Sequence, residues 1–405
     1  MKSRIADNIK SMPAAFVIGY LILFIRNYFL ILQVDVLPDL VDKVMLVVGL
    51  LFCFIHILSN INFYKRRLAL LVLIVGLVGF SYIKNGETSP LVSLVVIIAA
   101  ATAADNQTLA KMWLTITSFI VAFTVMVYFT TLVISPSSIQ FVMRLQGSDS
   151  TIRHGFFLCH PNMVAAILAM IFCCSIYLMK KRRLASVIFT VVMFGVYLFT
   201  DSRTPVILFI LVAALYFVLP SMSLKLKKML AIVVEFLPVI LLLAVFLLSG
   251  PLFSDGLRDM FSARIGLWHA CFNNQGISLF GDRFIVTSSV EADGFIRFYT
   301  TLDSFYASCL FVYGIPFTFA FLLINYLTIH DCDDMGLVFI FLFFWLEGFT
   351  EGHLTNLIFG LPLLLMGSGV FRMCNSRSAE RSSINQTCSG VVACRGHSLS
   401  RELHY

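Results

Sequence analysis

Charged residues are scarce in this 405-residue chain, at 13% of the total, which is about half their share in typical soluble domains. Hydrophobic residues make up 59% and the mean hydropathy is +0.93. Apolar runs of roughly 18 residues, long enough to span a bilayer core, recur throughout the chain. Segments of about ten residues with period-two alternation, typical of membrane barrels, are absent. The composition therefore excludes a soluble globular protein and predicts an all-α, polytopic integral membrane helical bundle.

The sequence also lacks the motifs that bind metals, nucleotides and nucleic acids. No CxxC pair or His/Cys spacing indicates a metal site. There is no Walker motif, no GxGxxG after a strand and no DxD pair on the predicted outer side. The net charge of +7 is spread over short clusters between apolar runs, as in cytoplasmic loops. We therefore expect no metal, no cofactor and no nucleic-acid partner, so any chemistry must draw its energy from an activated lipid or an ion gradient.

Hydropathy predicts about twelve transmembrane helices, and the basic clusters fall in alternate connections between them. The predicted spans lie near residues 14–33, 42–59, 67–83, 90–104, 111–134, 161–179, 184–200, 204–220, 228–249, 303–325, 335–350 and 354–372. Dense Lys/Arg clusters, at 65–67 and 180–183 among others, mark the cytoplasmic side and place both termini there. The membrane domain is predicted to cover 1–372, with one large extracytoplasmic loop at 250–302. Residues 373–405 are predicted to form a disordered cytoplasmic tail.

Two basic residues in one predicted outer loop suggest an anion site. Arg153 and His154 lie in "TIRHGFFLCHPN", on the face that is usually poor in basic charge. The same stretch ends in His160-Pro161-Asn162, which opens the next span with proline at a favoured helix start. A helix N-terminus beside an arginine can bind an anion. The alternative is an arginine that snorkels to the interface.

Two further outer segments carry candidate arginines. Arg203 lies two residues after Asp201, so it either pairs locally in a tight hairpin or is held toward a shared pocket. Arg264 lies in "SARIGLWHA", six residues after Arg258, in a stretch that reads as an amphipathic helix with Trp268 on the same face. That helix either binds lipid headgroups or contributes to the pocket. Because guanidinium groups suit phosphate oxygens, arginines from three outer segments could converge on a diphosphate.

Carboxylates and histidines on the same side are candidates for acid–base chemistry. Asp303, at the start of an apolar span, is either a helix N-cap or a proton acceptor. His154 is the next candidate base, and Glu347, Glu351 and His353 form a weaker outer cluster. Arg26, inside the first span, is expected to snorkel or to pair within the bundle.

Several stretches of the chain together resemble the O-antigen and capsule polymerases, the Wzy-like proteins, and the related O-antigen ligases. "RHGFFLCHPNMVAAIL" followed by "TDSRTPVILFIL" is similar to the family core, and "ARIGLWHACFNNQGISLFGDRF" to its large-loop motif. "LDSFYASCLFVYGIP" resembles the Asp/His-Asn-x-Tyr-Leu motif at the loop exit. The resemblance covers roughly residues 140–325. Asp303 stands where ligases carry histidine, which favours a polymerase, whereas Ser304 replaces the asparagine common to both branches.

The resemblance implies a fold similar to the C-type glycosyltransferases and a metal-independent glycosyltransferase activity. A polymerase would join undecaprenyl-diphosphate-linked oligosaccharide repeat units into O-antigen, capsular or exopolysaccharide at the outer face of the bacterial cytoplasmic membrane. The expected partners are that lipid-linked oligosaccharide, membrane lipids, a chain-length regulator and a flippase. The implied diphosphate ligands are Arg153, Arg264 and Arg203; the implied bases are Asp303 and His154; the secondary candidates are His160, Arg258, Glu351 and His353.

Three other functions remain open at this stage. An O-antigen ligase would transfer finished glycan to a lipid A-core acceptor. A transporter or lipid flippase would place ionisable residues at mid-membrane beside broken helices. A non-catalytic assembly protein would leave the outward arginines without a role.

Overall fold

The structure is a computed structural model. It describes residues 12–32, 37–135, 142–146, 149–158, 160–254, 256, 264–283, 288–292, 295–299, 302–330 and 332–374. Within 142–146, 149–153, 288–292 and 295–299 the description is limited to the backbone.

Thirteen helices organise the described part of the chain. The first nine are α1 Ala14–Leu30, α2 Asp39–Ser59, α3 Leu68–Asn85, α4 Ser89–Ala100, α5 Asn106–Ile134, α6 Pro161–Leu178, α7 Arg182–Thr200, α8 Arg203–Val218 and α9 Leu224–Ser249. The last four are α10 Arg264–Asn274, α11 Ile315–Ile329, α12 Met335–Thr350 and α13 Leu361–Cys374. Single helical turns at Ile61–Tyr64 and Phe305–Ser308 complete the set.

Seven helices in the described ranges, α2, α3 and α5 to α9, are long and apolar enough to cross a membrane. Helices α1, α4, α11, α12 and α13 are also apolar but shorter. Apolar side chains lie exposed along the long helices, for example Val47 at 63%, Ile83 at 79% and Val133 at 83% exposure. Such surface suits lipid rather than water. The prediction of a membrane-embedded helical protein is confirmed, and the count of twelve spans stays a prediction.

The inner layer of the bundle contains α4, α6 and α12. Helix α12 is buried along almost its whole length, and α6 packs against it. Gly336 permits a close approach at one end of this pair, because an added Cβ would lie 2.6 Å from the ring of Tyr177. The Tyr216 hydroxyl donates a 2.6 Å hydrogen bond to the Gly336 carbonyl at the same place. Helices α6 and α12 therefore form a fixed pair that connects the two ends of the bundle.

Two predicted spans differ from continuous helices. The segment 303–325 is a helical turn and a π-helix, Cys309–Tyr313, that ends at Gly314 with φ +84° before α11 begins. The segment 354–372 becomes helical only at Leu361, and the irregular stretch before it is largely buried. Irregular backbone at membrane depth is tolerated where protein surrounds it. Proline and glycine at these breaks prevent continuous helices.

Short hairpins modify the all-α prediction outside the apolar helices. Strands β1 (Val142–Gln146) and β2 (Asp149–Arg153) pair antiparallel, with Val142 opposite Arg153. Strands β3 (Ser288–Ala292) and β4 (Phe295–Tyr299) do the same. The predicted loop 250–302 thus contains α10 and the second hairpin among its described residues. The predicted tail lies outside the described residues from 375 onward.

Candidate active site

Arg264 joins two carboxylates from segments distant in the sequence. Its Nη2 lies 3.4 Å from Glu351 Oε1, and its Nε lies 3.7 Å from Asp303 Oδ2. Arg264 begins α10, Asp303 precedes the Phe305–Ser308 turn, and Glu351 follows α12. Both contacts are long for ion pairs, so a phosphate oxygen can compete for the guanidinium hydrogens. We name Arg264, Asp303, Glu351, Asn162 and His353 the Arg264 cluster.

Helix α10 is held against the bundle by its aromatic side chains. Trp268, one turn after Arg264, packs edge-on against Phe349 of α12 with ring centroids 5.7 Å apart. His269 stacks on Phe253 at 3.6 Å, and its Nδ1 donates to the Ser249 carbonyl at 2.7 Å. These contacts fix the first turn of α10 beside the end of α12, which places Arg264 over Glu351.

Glu351 is buried and held from two sides. The Asn162 side-chain amide donates a 2.8 Å hydrogen bond to Glu351 Oε1. The Glu351 carbonyl accepts from the Phe305 backbone N–H at 3.1 Å, which ties the Asp303 segment to the end of α12. Burial raises the pKa of Glu351 to about 7, against the opposing effects of Arg264 and Asn162. A carboxyl group with this pKa can gain or lose a proton near neutral pH.

Asp303 is not a helix cap. Ser304 holds that position, since its hydroxyl accepts a 3.4 Å hydrogen bond from the Ala307 N–H. The same hydroxyl donates to the Gly348 carbonyl at 3.3 Å. The Asp303 side chain is 45% exposed. Partial desolvation of its carboxyl group nevertheless raises its pKa, and the Arg264 charge lowers it in part. The N-cap interpretation of Asp303 was therefore wrong, and serine at 304 has a structural role.

His353 lies behind Glu351 as a neutral ring. Its Nδ1 is 3.8 Å from Glu351 Oε2, and its ring packs on Phe359 at 3.9 Å. Burial, with a smaller effect from His160, lowers the pKa of His353 to about 3. Its Nε2 has no hydrogen-bond partner within the described ranges. With this pKa, His353 stays neutral near neutral pH, so it is a weak base and has no imidazolium proton to donate.

His160 has a clear structural role at the start of α6. Its Nδ1 accepts a 3.2 Å hydrogen bond from the Asn162 backbone N–H, so His160 is the N-cap and Pro161 the first helical residue. This cap orients Asn162 toward Glu351. The prediction that Pro161 opens the next helix is confirmed, and the cap also positions Asn162 at the site.

The other predicted site residues are positioned differently. Arg203 is half-exposed and lies 3.7 Å from Asp201, its local partner. His154 Nδ1 is 2.6 Å from the Tyr128 hydroxyl, and the His154 backbone N–H donates a hydrogen bond to the Phe199 carbonyl. The Arg153 backbone lies in β2 but its side chain is outside the described part, as is all of Arg258. Convergence of three arginines thus stays a prediction, with only Arg264 placed at the carboxylates.

Two buried acids emerge more clearly from the structure than from the sequence. Glu347 lies in the last turn of α12 and is 2% exposed. Neither of its carboxyl oxygens has a hydrogen-bond partner among the described residues. Glu235, inside α9, is buried and lies 3.3 Å from His330 Nδ1. The only signal in the sequence for either acid was a glutamate within an apolar run. Arg26 is paired within the bundle, with its Nε 2.8 Å from Asp42 Oδ1.

Searches against protein-family models, curated proteins and solved structures give no significant match to this chain. The resemblance to polysaccharide polymerases therefore remains a prediction carried by the motifs and by the Arg264 cluster.

Proposed function

We propose that the chain is a metal-independent glycosyltransferase that joins undecaprenyl-diphosphate-linked oligosaccharide repeat units into O-antigen, capsular or exopolysaccharide. The observation that carries the proposal is the contact of Arg264 with Asp303 and Glu351. It combines a phosphate-binding group with candidate bases at the end of apolar helices. A lipid-linked diphosphate needs this combination, since its reacting bond lies at the membrane surface.

The guanidinium of Arg264 holds the diphosphate leaving group. Negative charge on the diphosphate grows as the glycosidic carbon–oxygen bond breaks, so a fixed cation stabilises the transition state more than the ground state. The diphosphate leaves with the bonding electron pair, still attached to its lipid. Arg153 remains a further predicted ligand of the same group, and Arg203, which lies 3.7 Å from Asp201, is the weakest of the predicted ligands.

Glu351 is the proposed base, ahead of Asp303 and His154. The acceptor hydroxyl transfers its proton to the Glu351 carboxylate while its oxygen bonds to the anomeric carbon of the donor. Glu351 is suited to this because its pKa of about 7 leaves much of it ionised near neutral pH while keeping it basic. Asp303 then keeps Arg264 oriented by its ion pair.

The proposed setting is the bacterial cytoplasmic membrane, with about twelve spans, both termini in the cytoplasm and the Arg264 cluster on the outer face. The alternating Lys/Arg clusters support this orientation. The proposed fold is similar to that of the C-type glycosyltransferases. A chain-length regulator and a flippase that delivers the lipid-linked units are the proposed protein partners.

A gene deletion complemented at matched protein levels tests the function. The complementing genes encode wild type, Arg264→Ala, Glu351→Gln or Asp303→Asn. The control is Arg372→Ala, in α13, because that arginine donates to a backbone carbonyl and not to the carboxylates of the Arg264 cluster. Surface glycan is resolved on a gel. Loss of the ladder with single repeat units on the anchor supports the polymerase, whereas an unchanged ladder in the deletion sinks the enzyme proposal. Full-length polymer on the carrier lipid indicates a ligase.

A transporter is the second candidate, favoured by one specific observation. Glu347 and Glu235 are buried acids inside apolar helices, and such residues commonly mark ion or substrate paths. In a flippase deletion, single repeat units would stay on the inner leaflet. Proton flux in vesicles containing the purified protein, abolished by Glu235→Gln, would support the transporter.

A further inference from the structure

A second polar site lies at the opposite ends of the helices that carry the Arg264 cluster. Asn162, at the start of α6, contacts Glu351 after the end of α12. At the opposite ends, the residues that follow α6 and the start of α12 line an open cavity of about 690 Å³, together with residues 219–220 and Lys227 of α9. With a rise of 1.5 Å per residue, the 18 residues of α6 separate the two sites by about 27 Å. The cations that line this basic cavity are Lys180, Lys181, Arg182, Arg183 and Lys227.

Its two arginines donate to neutral oxygens, and among the described residues no carboxylate forms an ion pair with either of them. Arg183 donates to the Phe217 carbonyl at 3.0 Å and to the Ser221 hydroxyl at 2.8 Å. Arg182 donates to the Tyr177 carbonyl at 3.3 Å. The arginines therefore form a preorganised wall of the basic cavity.

Its three lysines are available to a ligand. Lys180 and Lys181 are exposed and Lys227 is half-buried. Within the part of the chain that the structure describes, no hydrogen bond or ion pair engages their ammonium groups. Ammonium groups act as adaptable point charges for phosphate.

Carboxylates only partly offset this charge. Asp334 and Asp333 also line the basic cavity. Asp334 caps α12 by accepting a 3.0 Å hydrogen bond from the Gly336 N–H, so its charge is engaged at a helix N-terminus. Five cations against two carboxylates leave a local excess of positive charge in a space of the size that binds small ligands.

Apolar residues complete the lining and indicate where the ligand comes from. Leu184, Leu219 and Met335 border the basic cavity, and Leu184 is 56% exposed on the outer surface of α7. An acyl chain can lie along that surface while its headgroup enters the cavity. Basic pockets between membrane helices commonly bind anionic headgroups.

We propose that the basic cavity binds a phosphate group, supplied by the headgroup of an anionic phospholipid in the adjacent leaflet. The lysines contact the phosphate oxygens, the arginines fix the cavity wall, and Leu184 contacts the acyl chain. The site is separate from the Arg264 cluster and does not depend on the function proposed for it.

Native mass spectrometry of the purified full chain with phosphatidylglycerol or phosphatidylcholine tests the proposal. The cavity variant is Lys180→Gln/Lys181→Gln/Lys227→Gln. The matched control is Lys65→Gln/Arg66→Gln/Lys225→Gln, which removes three exposed basic charges that lie outside the cavity lining. A Lys→Arg triple at the cavity positions preserves charge. Each removed cavity charge is expected to lower phosphatidylglycerol binding about fivefold.

The expected result is about a 100-fold loss in the cavity variant, less than about a twofold loss in the control, and retention in the Lys→Arg triple. Equal losses in both glutamine triples would overturn the proposal, because the charge would then act as a diffuse surface. Unchanged binding in the cavity variant would overturn it as well. Competition with inorganic pyrophosphate distinguishes the two sources of phosphate. If pyrophosphate displaces the bound lipid, and phosphatidylglycerol and phosphatidylcholine bind equally, the site is assigned to a soluble anion. Selective binding of phosphatidylglycerol assigns it to lipid.

Discussion

The two ends of the α6–α12 pair carry opposite balances of charge. At the Arg264 cluster, Asp303 and Glu351 contact Arg264, and the buried Glu347 lies one turn before Glu351. At the basic cavity, five cations face two carboxylates in an open space. The difference shows that burial and charge excess have different consequences: burial raises the pKa of Glu351 at the enclosed end, whereas the excess of cations lining the open cavity favours binding of an anion.

The largest effect is expected from removing Arg264. Arg264→Ala should lower polymer formation by about 100-fold or more, because a fixed donor at the leaving group is lost. It should also raise the pKa of Glu351 further, since the Arg264 charge lowers it in the wild type. The pH profile of residual polymer formation in membrane vesicles should therefore move to higher pH.

Arg264→Lys provides the control for that change. It keeps the charge but not the guanidinium fork, so it should retain the wild-type pH profile with reduced activity. An Arg264→Ala protein with the wild-type profile and rate would contradict the assignment of Arg264 to the leaving group.

Glu351→Gln should produce the next largest effect, in activity and in stability. The folded-state pKa of about 7 lies above the ordinary 4.5. Folding therefore disfavours the ionised form of Glu351. The resulting loss in the free energy of unfolding is absent below about pH 4.5, grows as the pH rises, and is complete above about pH 7. Its size is on the order of 3 kcal/mol.

Thermal unfolding of the purified protein between pH 5 and pH 8 measures this cost. Wild type should lose stability as pH rises across that window, and Glu351→Gln should lose much less while failing to form polymer. A variant that retains the full pH dependence would show that another group titrates there.

Gly352→Ala should have an intermediate effect, by separating the segments that build the acidic end. An added Cβ would lie 2.3 Å from the Leu302 carbonyl, next to Asp303. We expect destabilisation of about 1–3 kcal/mol and a fall in polymer yield. Gly76→Ala is the matched control, since a Cβ there meets nothing within 4 Å. Equal melting temperatures for the two variants would contradict the close approach.

Arg203→Ala should have the smallest effect. The Arg203–Asp201 pair is half-exposed, and such pairs contribute less than about 1 kcal/mol. If Arg203 only closes the hairpin, the surface glycan ladder should change by less than about twofold. A large loss with unchanged protein level would instead place Arg203 among the diphosphate ligands.

Much of the helical layout could be predicted from sequence because bilayer thickness sets the length of apolar runs. The predicted spans at 42–59 and 161–179 lie within a few residues of α2 and α6. The break at Gly314 and the irregular stretch before Leu361 were missed because hydropathy averaged over a whole span hides single glycines and prolines. Hydropathy reports partition into lipid, and it does not report backbone continuity.

The acidic end was predicted in its members but not in its organisation. Sidedness placed Arg264, Asp303 and Glu351 on one face, and the structure brings them into contact. The hydrogen bond from Asn162 to Glu351 joins residues 189 positions apart, so no local pattern could show it. The same limit applies to the basic cavity: its lysine runs were visible, but the cavity exists only where the starts of α7, α9 and α12 and the turn after α8 meet.

The most direct test of the central claim is a turnover assay with purified protein. Lipid-linked repeat units extracted from cells that lack the gene are incubated with the wild-type chain or with Arg264→Ala, without nucleotide. The account predicts that wild type converts single units into longer lipid-linked glycan and releases undecaprenyl diphosphate, whereas Arg264→Ala leaves the units intact. Intact single units in both reactions, with folded protein in each, would contradict it.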